Sequence, residues 1–377
     1  MLKGYVISDI HFGSMNSKKL YTELYNIFIK RIVKTKELDL VVIAGDLLDH
    51  KLSFNSEDSK NCINFINKLS QLAIKKNFAI RIIKGTKNHD LNQLNNFLYF
   101  EKKNNLNFRI INTVTEEEFK GYKILYVPEE YIEDSKEYYN EYFSKKDYYD
   151  ISFVHGTFNH VEFVSKTIQS EKPILDAPIF SYKQFSNIVK GPVLCGHIHI
   201  AQSYKKKIYY TGSFSRWKYG EEKKKGFLSF ELDENSSKYK VKFITNNLAP
   251  EYVTKDITDF GSLEEKEIEK TIKKVEKWKK ENSIDHLRLN ITNTNEFTVN
   301  SNILKKYFSE NKEENIKVCV KNLNTNEKSE EEDELEKKYD FIFQNKYPIA
   351  KIISKYLKIH NNITLNESTI DDLLNDE

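Results

Sequence analysis

The sequence has little of several things, and each shortage closes off a class of protein. Only 3 of the 377 residues are cysteine, and Cys62, Cys195 and Cys319 form no CxxC pair. That spacing argues against a disulfide framework and fits reduced intracellular thiols. No apolar run approaches the roughly 20 residues that a membrane helix needs. The opening "MLKGYVISD" enters a strand pattern at once and leaves no room for a signal peptide, so a cytoplasmic, membrane-free protein is expected. Charge of one sign is missing too. The 59 Lys and Arg stand against 56 Asp and Glu, a net +3 that neither requires nor excludes a nucleic-acid partner. Glycine is scarce at 12 residues beside abundant Lys, Asn, Ile and Glu, a bias of AT-rich coding more than of function.

What remains is a globular, highly charged chain, 39% hydrophobic and 31% charged, too long for one ordinary core. Short β-rich runs recur through the first 250 residues: "KGYVIS", "LDLVVIA", "FAIRII", "YKILYV", "YDISFV", "GPVLC", "KIYYTGS", "GFLSFEL" and "YKVKFIT". Helical stretches at Lys18–Thr35 and Glu57–Lys75 separate the early ones, which implies parallel pairing, while the crowded later strands imply an antiparallel part. The expected fold class is α/β, a two-sheet sandwich with helices outside.

Beyond Pro250 the pattern changes. "SLEE" (262–265) has capping-box spacing and opens a helix with Ile268, Ile272 and Val275 on one face. The strand pattern "HLRLNIT", a helix near Ser301–Phe308 and the strand pattern "NIKVCVKNL" follow, a small α+β domain over 251–323. An acidic stretch at 324–336 reads as a linker. Over 337–377 Ile349, Ile352, Ile353, Tyr356 and Leu357 share one helical face, which suits a partner-binding helix or a helix packed on the small domain.

The chemistry-bearing residues follow strands. Asp9 and His11 follow "GYVIS"; Asp46 and Asp49 lie in "VVIAGDLLDH"; Asn88 and His89 lie in "RIIKGTKNHD"; His155 ends "ISFVH"; His197 and His199 lie in "VLCGHIH". In α/β sheets, sites assemble beyond the carboxyl ends of strands. Taken singly, each fragment has a plain structural use: GDxxD as a turn with a helix N-cap, His155 as a core histidine. Taken together, mixed carboxylate, imidazole and amide donors suit two borderline divalent ions sharing a carboxylate, an arrangement that clamps a phosphoryl group. His50, His160, His286 and His360 have no such setting and read as structural.

The order "DIH", "GDLLD", "KNHD", "VHG", "GHIH" resembles the calcineurin-like metallophosphoesterases over about residues 1–245. The resemblance implies an αββα sandwich. It implies one ion on Asp9, His11, Asp46 and His199, and a second on Asp46, Asn88, His155 and His197, with Mn²⁺ the expected metal. It makes His89 the residue that acts on the leaving group, with Asp49 orienting it. In the family a glycine directly precedes the asparagine; here Thr86 and Lys87 intervene after Gly85.

A second resemblance is to the nuclease subunit of SbcCD-type DNA repair complexes and related phage recombination nucleases, carried by "YYTGSFSRWKYGEEKKKGF" (209–227) and by the order of the downstream segments. It implies a 3′→5′ DNA exonuclease and endonuclease with a small α+β capping domain, a linker and C-terminal helices over 337–377 that grip an SMC-like ABC ATPase partner, and a homodimer. Arg216, Trp217, Lys218, Lys223, Lys224 and Lys225 are the candidate DNA contacts, cations for phosphates and an aromatic for stacking; a solvated Lys-rich hairpin explains them as well. The alternatives are a metallophosphatase or small-nucleotide phosphodiesterase with a regulatory tail, and a chiefly scaffolding subunit.

Overall fold

The computed structural model describes residues 1–132, 135–146, 148–159, 177–234, 238–258, 265–293, 298–310 and 315–322. The acidic 324–336 stretch and Ile349, Ile352, Ile353, Tyr356 and Leu357 lie outside them. So do His160 and His360.

The strands in chain order are β1 (Leu2–Ile7), β2 (Leu40–Ala44), β3 (Ala79–Ile83), β4 (Phe108–Ile111), β5 (Thr115–Phe119), β6 (Tyr122–Val127), β7 (Ile151–His155), β8 (Thr157–Phe158), β9 (Ile179–Phe180), β10 (Val193–Gly196), β11 (Gln202–Tyr204), β12 (Ile208–Tyr210), β13 (Gly226–Leu232), β14 (Tyr239–Thr245), β15 (Tyr252–Thr258), β16 (His286–Asn293) and β17 (Ile316–Asn322). One sheet runs β14-β13-β1-β2-β3-β4 and the other β11-β12-β10-β7-β6-β5. In the first, β1 to β4 pair in parallel and β13 and β14 add an antiparallel edge. In the second, β6, β7, β10 and β12 are parallel, and β5 and β11 close the two edges antiparallel.

Parallel strands covered on both faces read as unbroken apolar runs, and β2 and β3 are buried at every residue. Alternation along each strand then divides three cores. Val6, Val42, Ala44 and Ile83 face Ile124, Tyr126, Phe153 and Leu194 between the sheets. Ile7, Val41, Ile43 and Ile80 on the other face meet Leu20, Phe28, Phe65 and Leu69 of the helices. Outside the second sheet, Leu125, Val154 and Cys195 meet Tyr139, Phe185 and Ile188. The result is the expected sandwich with helices outside.

Local signals fix the helices closely. Helical residues run Ser17–Lys34, with a wider π turn at Leu24–Ile29, and again Glu57–Lys76. The second helix begins where Ser56 accepts the Ser59 amide, carries Glu57 and Asp58 in its first turn and Lys75 and Lys76 in its last, and stops at left-handed Asn77. Further on are the helices Glu265–Glu281 and Thr298–Glu310 and the three-stranded sheet β15-β16-β17. By packing, the chain divides into two compact units. The first comprises Met1–Lys255, Thr271–Leu289 and Asn311–Lys317; the second comprises Asp256–Lys270, Asn290–Glu310 and Val318–Glu377. Every residue of the site described next belongs to the first.

One buried cation belongs to this framework. Arg81, in the middle of β3, is 1% exposed. Its guanidinium forks onto Glu117 of β5 at 2.9 and 2.5 Å and reaches the Asn107 side chain at 2.8 Å, so the charge is paired inside the sandwich.

Candidate metal centre

The centre is built on turns that leave the strand ends. After β1 and β2 the two turns are tied main chain to main chain: Asp9 N–H donates to Gly45 O at 3.1 Å, and Ile10 and His11 N–H both donate to Asp46 O at 2.9 and 3.1 Å. Asp9, His11, Asp46 and His197 all hold positive φ, of 49°, 52°, 51° and 89°. Non-glycine residues held there cost roughly 1–3 kcal/mol each, and the surrounding bonds must hold them in place. The bend turns each side chain off its strand and into one pocket. Gly85 is needed there for space: a Cβ on it would lie 2.1 Å from Asp46 Oδ1.

Three overlapping groups could hold metal: Asp9, His11 and His199; His11, Asp46 and His89; Asp46, His155 and His197. Within each, the ligand atoms lie within 4.8 Å of one another. Asp46 Oδ2 is 3.8 Å from His11 Nε2 and 3.3 Å from His155 Nε2, so its carboxylate faces both sides. His11 Nε2 and His199 Nε2 approach to 3.2 Å. The Asp9 carboxylate accepts the His197 amide at 3.0 and 3.1 Å.

Most of the imidazoles are oriented through Nδ1. His155 Nδ1–H donates to Ala44 O at 2.7 Å, and His199 Nδ1–H donates to the buried Glu221 at 2.7 Å. His11 Nδ1 lies 3.2 Å from Asp49 Oδ1. An oxygen acceptor at Nδ1 places the lone pair of a neutral ring on Nε2, which is how outer partners prepare a histidine for metal. His197 is reversed: its Nδ1 faces inward, 3.1 Å from Glu129 Oε2.

Electrostatics point the same way. Burial raises the Asp46 carboxyl, but the His155 ring, with His11 and His89, more than offsets it and leaves Asp46 below the usual carboxylate range. Burial disfavours charge on His155, yet Asp46, Asp9 and Glu129 hold its pKa well above the ordinary value. Both directions reflect carboxylates and rings packed together, and these oxygen and nitrogen donors fit divalent ions.

The structure brings Asp9, His11, Asp46, His89, His155, His197 and His199 together. It does not bring Asn88. His89 N–H closes a turn onto Thr86 O at 3.0 Å, which places Asn88 third of four residues at the exposed tip. Thr86 takes the inner place. It is 1% exposed, its N–H donates to Asp46 Oδ1 at 2.6 Å and its hydroxyl to Asp46 Oδ2 at 3.1 Å. That hydroxyl also lies 3.3 Å from His155 Nε2 and 3.4 Å from His197 Nδ1. The two extra residues are thus the means by which the loop turns outward.

Asp49 meets His89 through its main chain. His89 Nδ1–H donates to its main-chain carbonyl, while its carboxylate serves His11 and His50, the latter at 3.0 Å. His286 stacks on Tyr252, with ring centres 4.2 Å apart.

The candidate DNA contacts divide into two kinds. Arg216 is buried, and its guanidinium donates to the carbonyls of Glu221, Ala249, Pro250 and Lys223 and to the Glu251 carboxylate. Lys225 is 1% exposed and donates to His199 O at 3.0 Å and Ser213 Oγ at 2.6 Å. Both therefore brace the centre from within. Lys223 and Lys224 are exposed and Lys218 is half-buried. Trp217 lays its ring 4.7 Å from that of His11 and 5.0 Å from that of His199.

Four further residues were missed. Glu221 and Thr86 are described above. Asp90, fully buried, accepts the amides of Gly85, Leu48 and Asp46 at 2.8, 3.0 and 3.1 Å and joins two ligand-bearing turns. Glu129 follows β6 and is 1% exposed. Asp90 ends the Asn-His-Asp run and Glu221 sits in the downstream stretch, so each lay inside a quoted motif; Glu129 carried no signal.

Five strand ends thus bring buried aspartates and histidines together in a candidate site for divalent metal. The calcineurin-like phosphoesterase family matches residues 2–221, more than half of the chain, and this chain belongs to it. It is a hydrolase of phosphoesters, of a family that works with divalent metals. No curated protein matches. A crystal structure aligns with 64% of this chain and 99% of its own length at 12% identity and a TM-score of 0.30, values that carry no argument. No helix among the described residues is long and apolar enough to cross a membrane.

Proposed function

We propose that this chain is a metal-dependent DNA nuclease, cutting phosphodiester bonds as exonuclease and endonuclease. One ion would be held by Asp9, His11, Asp46 and His199, and a second by Asp46, His155 and His197, with Mn²⁺ suited to mixed oxygen and imidazole donors. Bound there, the ions supply Lewis acidity toward the phosphoryl group and make water more acidic. The chain's own residues do the rest. His89, held through Nδ1–H on the Asp49 carbonyl, exchanges its proton at Nε2, the position of a general acid for the leaving oxygen.

The observation that carries the choice of nucleic acid is Trp217. Its ring lies against His11 and His199, and Lys218 follows it, with Lys223 and Lys224 exposed on the same segment. An aromatic face beside phosphate chemistry, rimmed by lysines, suits a base next to a phosphodiester. Burial of Arg216 and Lys225 makes this rim smaller than the sequence implies. The downstream resemblance to SbcCD-type nuclease subunits supports the same reading. It also supports a homodimer and an SMC-like ATPase gripped by residues 337–377.

The test is cleavage of labelled duplex and single-stranded DNA with Mn²⁺ by wild type and His89→Ala, with a chromogenic phosphomonoester and phosphodiester alongside. DNA cleavage that needs Mn²⁺ and falls at least about 100-fold in the variant is expected. Hydrolysis of the monoester alone would move the protein to the phosphatase alternative.

A further inference from the structure

The described centre leaves one buried carboxylate unused. Glu129 Oε1 accepts the Tyr131 hydroxyl. Its Oε2 makes no aligned hydrogen bond and faces two ring nitrogens, His197 Nδ1 at 3.1 Å and His155 Nε2 at 3.8 Å. The His155 tautomer is set from the far side, because Nδ1–H donates to Ala44 O at 2.7 Å. In the neutral ring a lone pair therefore faces the same small space as the carboxylates of Asp46 and Glu129. Buried carboxylates that converge on ring nitrogens need a positive charge among them, which protons on the rings supply in the empty site and a divalent ion supplies in the loaded one.

The residue expected to complete this side of the centre is elsewhere, since Asn88 sits at an exposed turn tip. Thr86, in its place, offers a neutral hydroxyl already engaged with Asp46. The loop that moves Asn88 out also reaches Glu129. Lys87 N–H donates to the Tyr131 hydroxyl at 3.3 Å, the Lys87 ammonium lies 5.7 Å over the Tyr131 ring, and Glu129 N–H donates to Lys84 O at 3.4 Å. Loop and carboxylate thus form one bonded unit.

We infer that Glu129 is a ligand of the second divalent ion, a carboxylate taking the place of an asparagine amide, and that Lys84, Lys87 and Tyr131 position it. The inference rests on the two-ion reading above but not on DNA as substrate. An added carboxylate raises the negative charge of this half of the centre and so strengthens its hold on the ion.

Mn²⁺ uptake by the full chain without substrate tests it, by calorimetric titration and by the electron paramagnetic resonance of the coupled pair. Wild type is expected to take two ions, Glu129→Ala one with loss of the coupled signal, and Asn88→Ala two at unchanged affinity. Glu129→Gln keeps an oxygen donor and loses the charge; it should take two ions, the second at least ~10-fold more weakly. Tyr131→Phe, acting through Glu129, should weaken that ion within the ~10–100-fold seen for outer-shell partners. Glu129→Gln and Tyr131→Phe carry the test if Glu129→Ala does not fold. Retention of two ions at wild-type affinity in both Glu129 variants, or loss of the second ion in Asn88→Ala, overturns the inference. A wild type that takes up no divalent ion overturns the two-ion reading with it. Two ions in wild type and one in Glu129→Ala, with DNA left uncut, support the inference and overturn only the nuclease assignment.

Discussion

The two halves of the metal centre are made differently. The half around Asp9, His11 and His199 comes from DxH and GHxH, short motifs whose strand-end bends fix each side chain. Its supports, Asp49 and Glu221, hold ring nitrogens at 3.2 and 2.7 Å. The half around Asp46, His155 and His197 has an enlarged loop, a threonine where an amide was expected, and a glutamate from another strand end. A motif predicts position only where the chain between its residues has one way to run. Positive φ at Asp9, His11 and Asp46 gives that constraint; a turn two residues longer removes it.

Asp46 is where the halves join, and its loss should have the largest effect. Asp46→Ala removes the carboxylate that, among the described residues, belongs to both the His11/His89 and the His155/His197 groups. Phosphoester hydrolysis is expected to fall by at least ~10³-fold, about 4 kcal/mol or more of barrier, with both ions weakened in the titration. Retention of one tightly held ion would show that the halves do not share this residue.

A smaller, one-sided effect separates them. Glu221→Gln keeps an acceptor for His199 Nδ1–H but removes the charge behind it. About 10-fold weaker binding of a single ion is expected, in the range of lost outer-shell partners. The Glu129→Gln change should weaken the other ion instead. Equal weakening of both ions by Glu221→Gln would break the division of the centre into halves.

The same contrast explains how much was legible in the sequence. The strands of the sandwich core, such as "LVVIA" and, apart from Arg81, "AIRII", are apolar runs because both faces are covered, and apolar runs are read easily. Strand β5, "TEEEF", is not: its alternate residues are half-exposed on a sheet edge, and one of its glutamates pairs with buried Arg81. β15, "YVTKDIT", was missed for a similar lack of apolar pattern. The metal-facing residues were legible as donors at strand ends. Glu129 and Thr86 were not, since their roles depend on how two loops close against each other. Arg216 and Lys225 look in sequence like the exposed Lys223 and Lys224. Their partners are mostly backbone carbonyls, which leave no trace in residue identity.

The smallest expected effect on the centre comes from beneath its first half. Glu23, on the first helix and 4% exposed, accepts Ser215 Oγ at 2.7 Å and Asn246 Nδ2 at 2.8 Å. Burial pushes its carboxyl up to about 7 from the ordinary 4.5, although both donors favour the ionised form. Below pH 4.5 the group is protonated folded and unfolded, and its contribution is whole. As pH rises from 4.5 to 7 the unfolded chain releases the proton first, so stability is lost across that window and stays lost above it. A shift of that size corresponds to at most about 3 kcal/mol, or several degrees in Tm for a chain of this length. Wild-type Tm is therefore expected to decline between pH 5 and pH 8 more steeply than that of Glu23→Gln, whose neutral amide has no proton to release. Mn²⁺ affinity at a fixed pH should be the same in the two proteins, because Glu23 bonds to Ser215 and Asn246. A change in Mn²⁺ affinity would show instead that the Ser213–Arg216 segment transmits strain from the helix to His199.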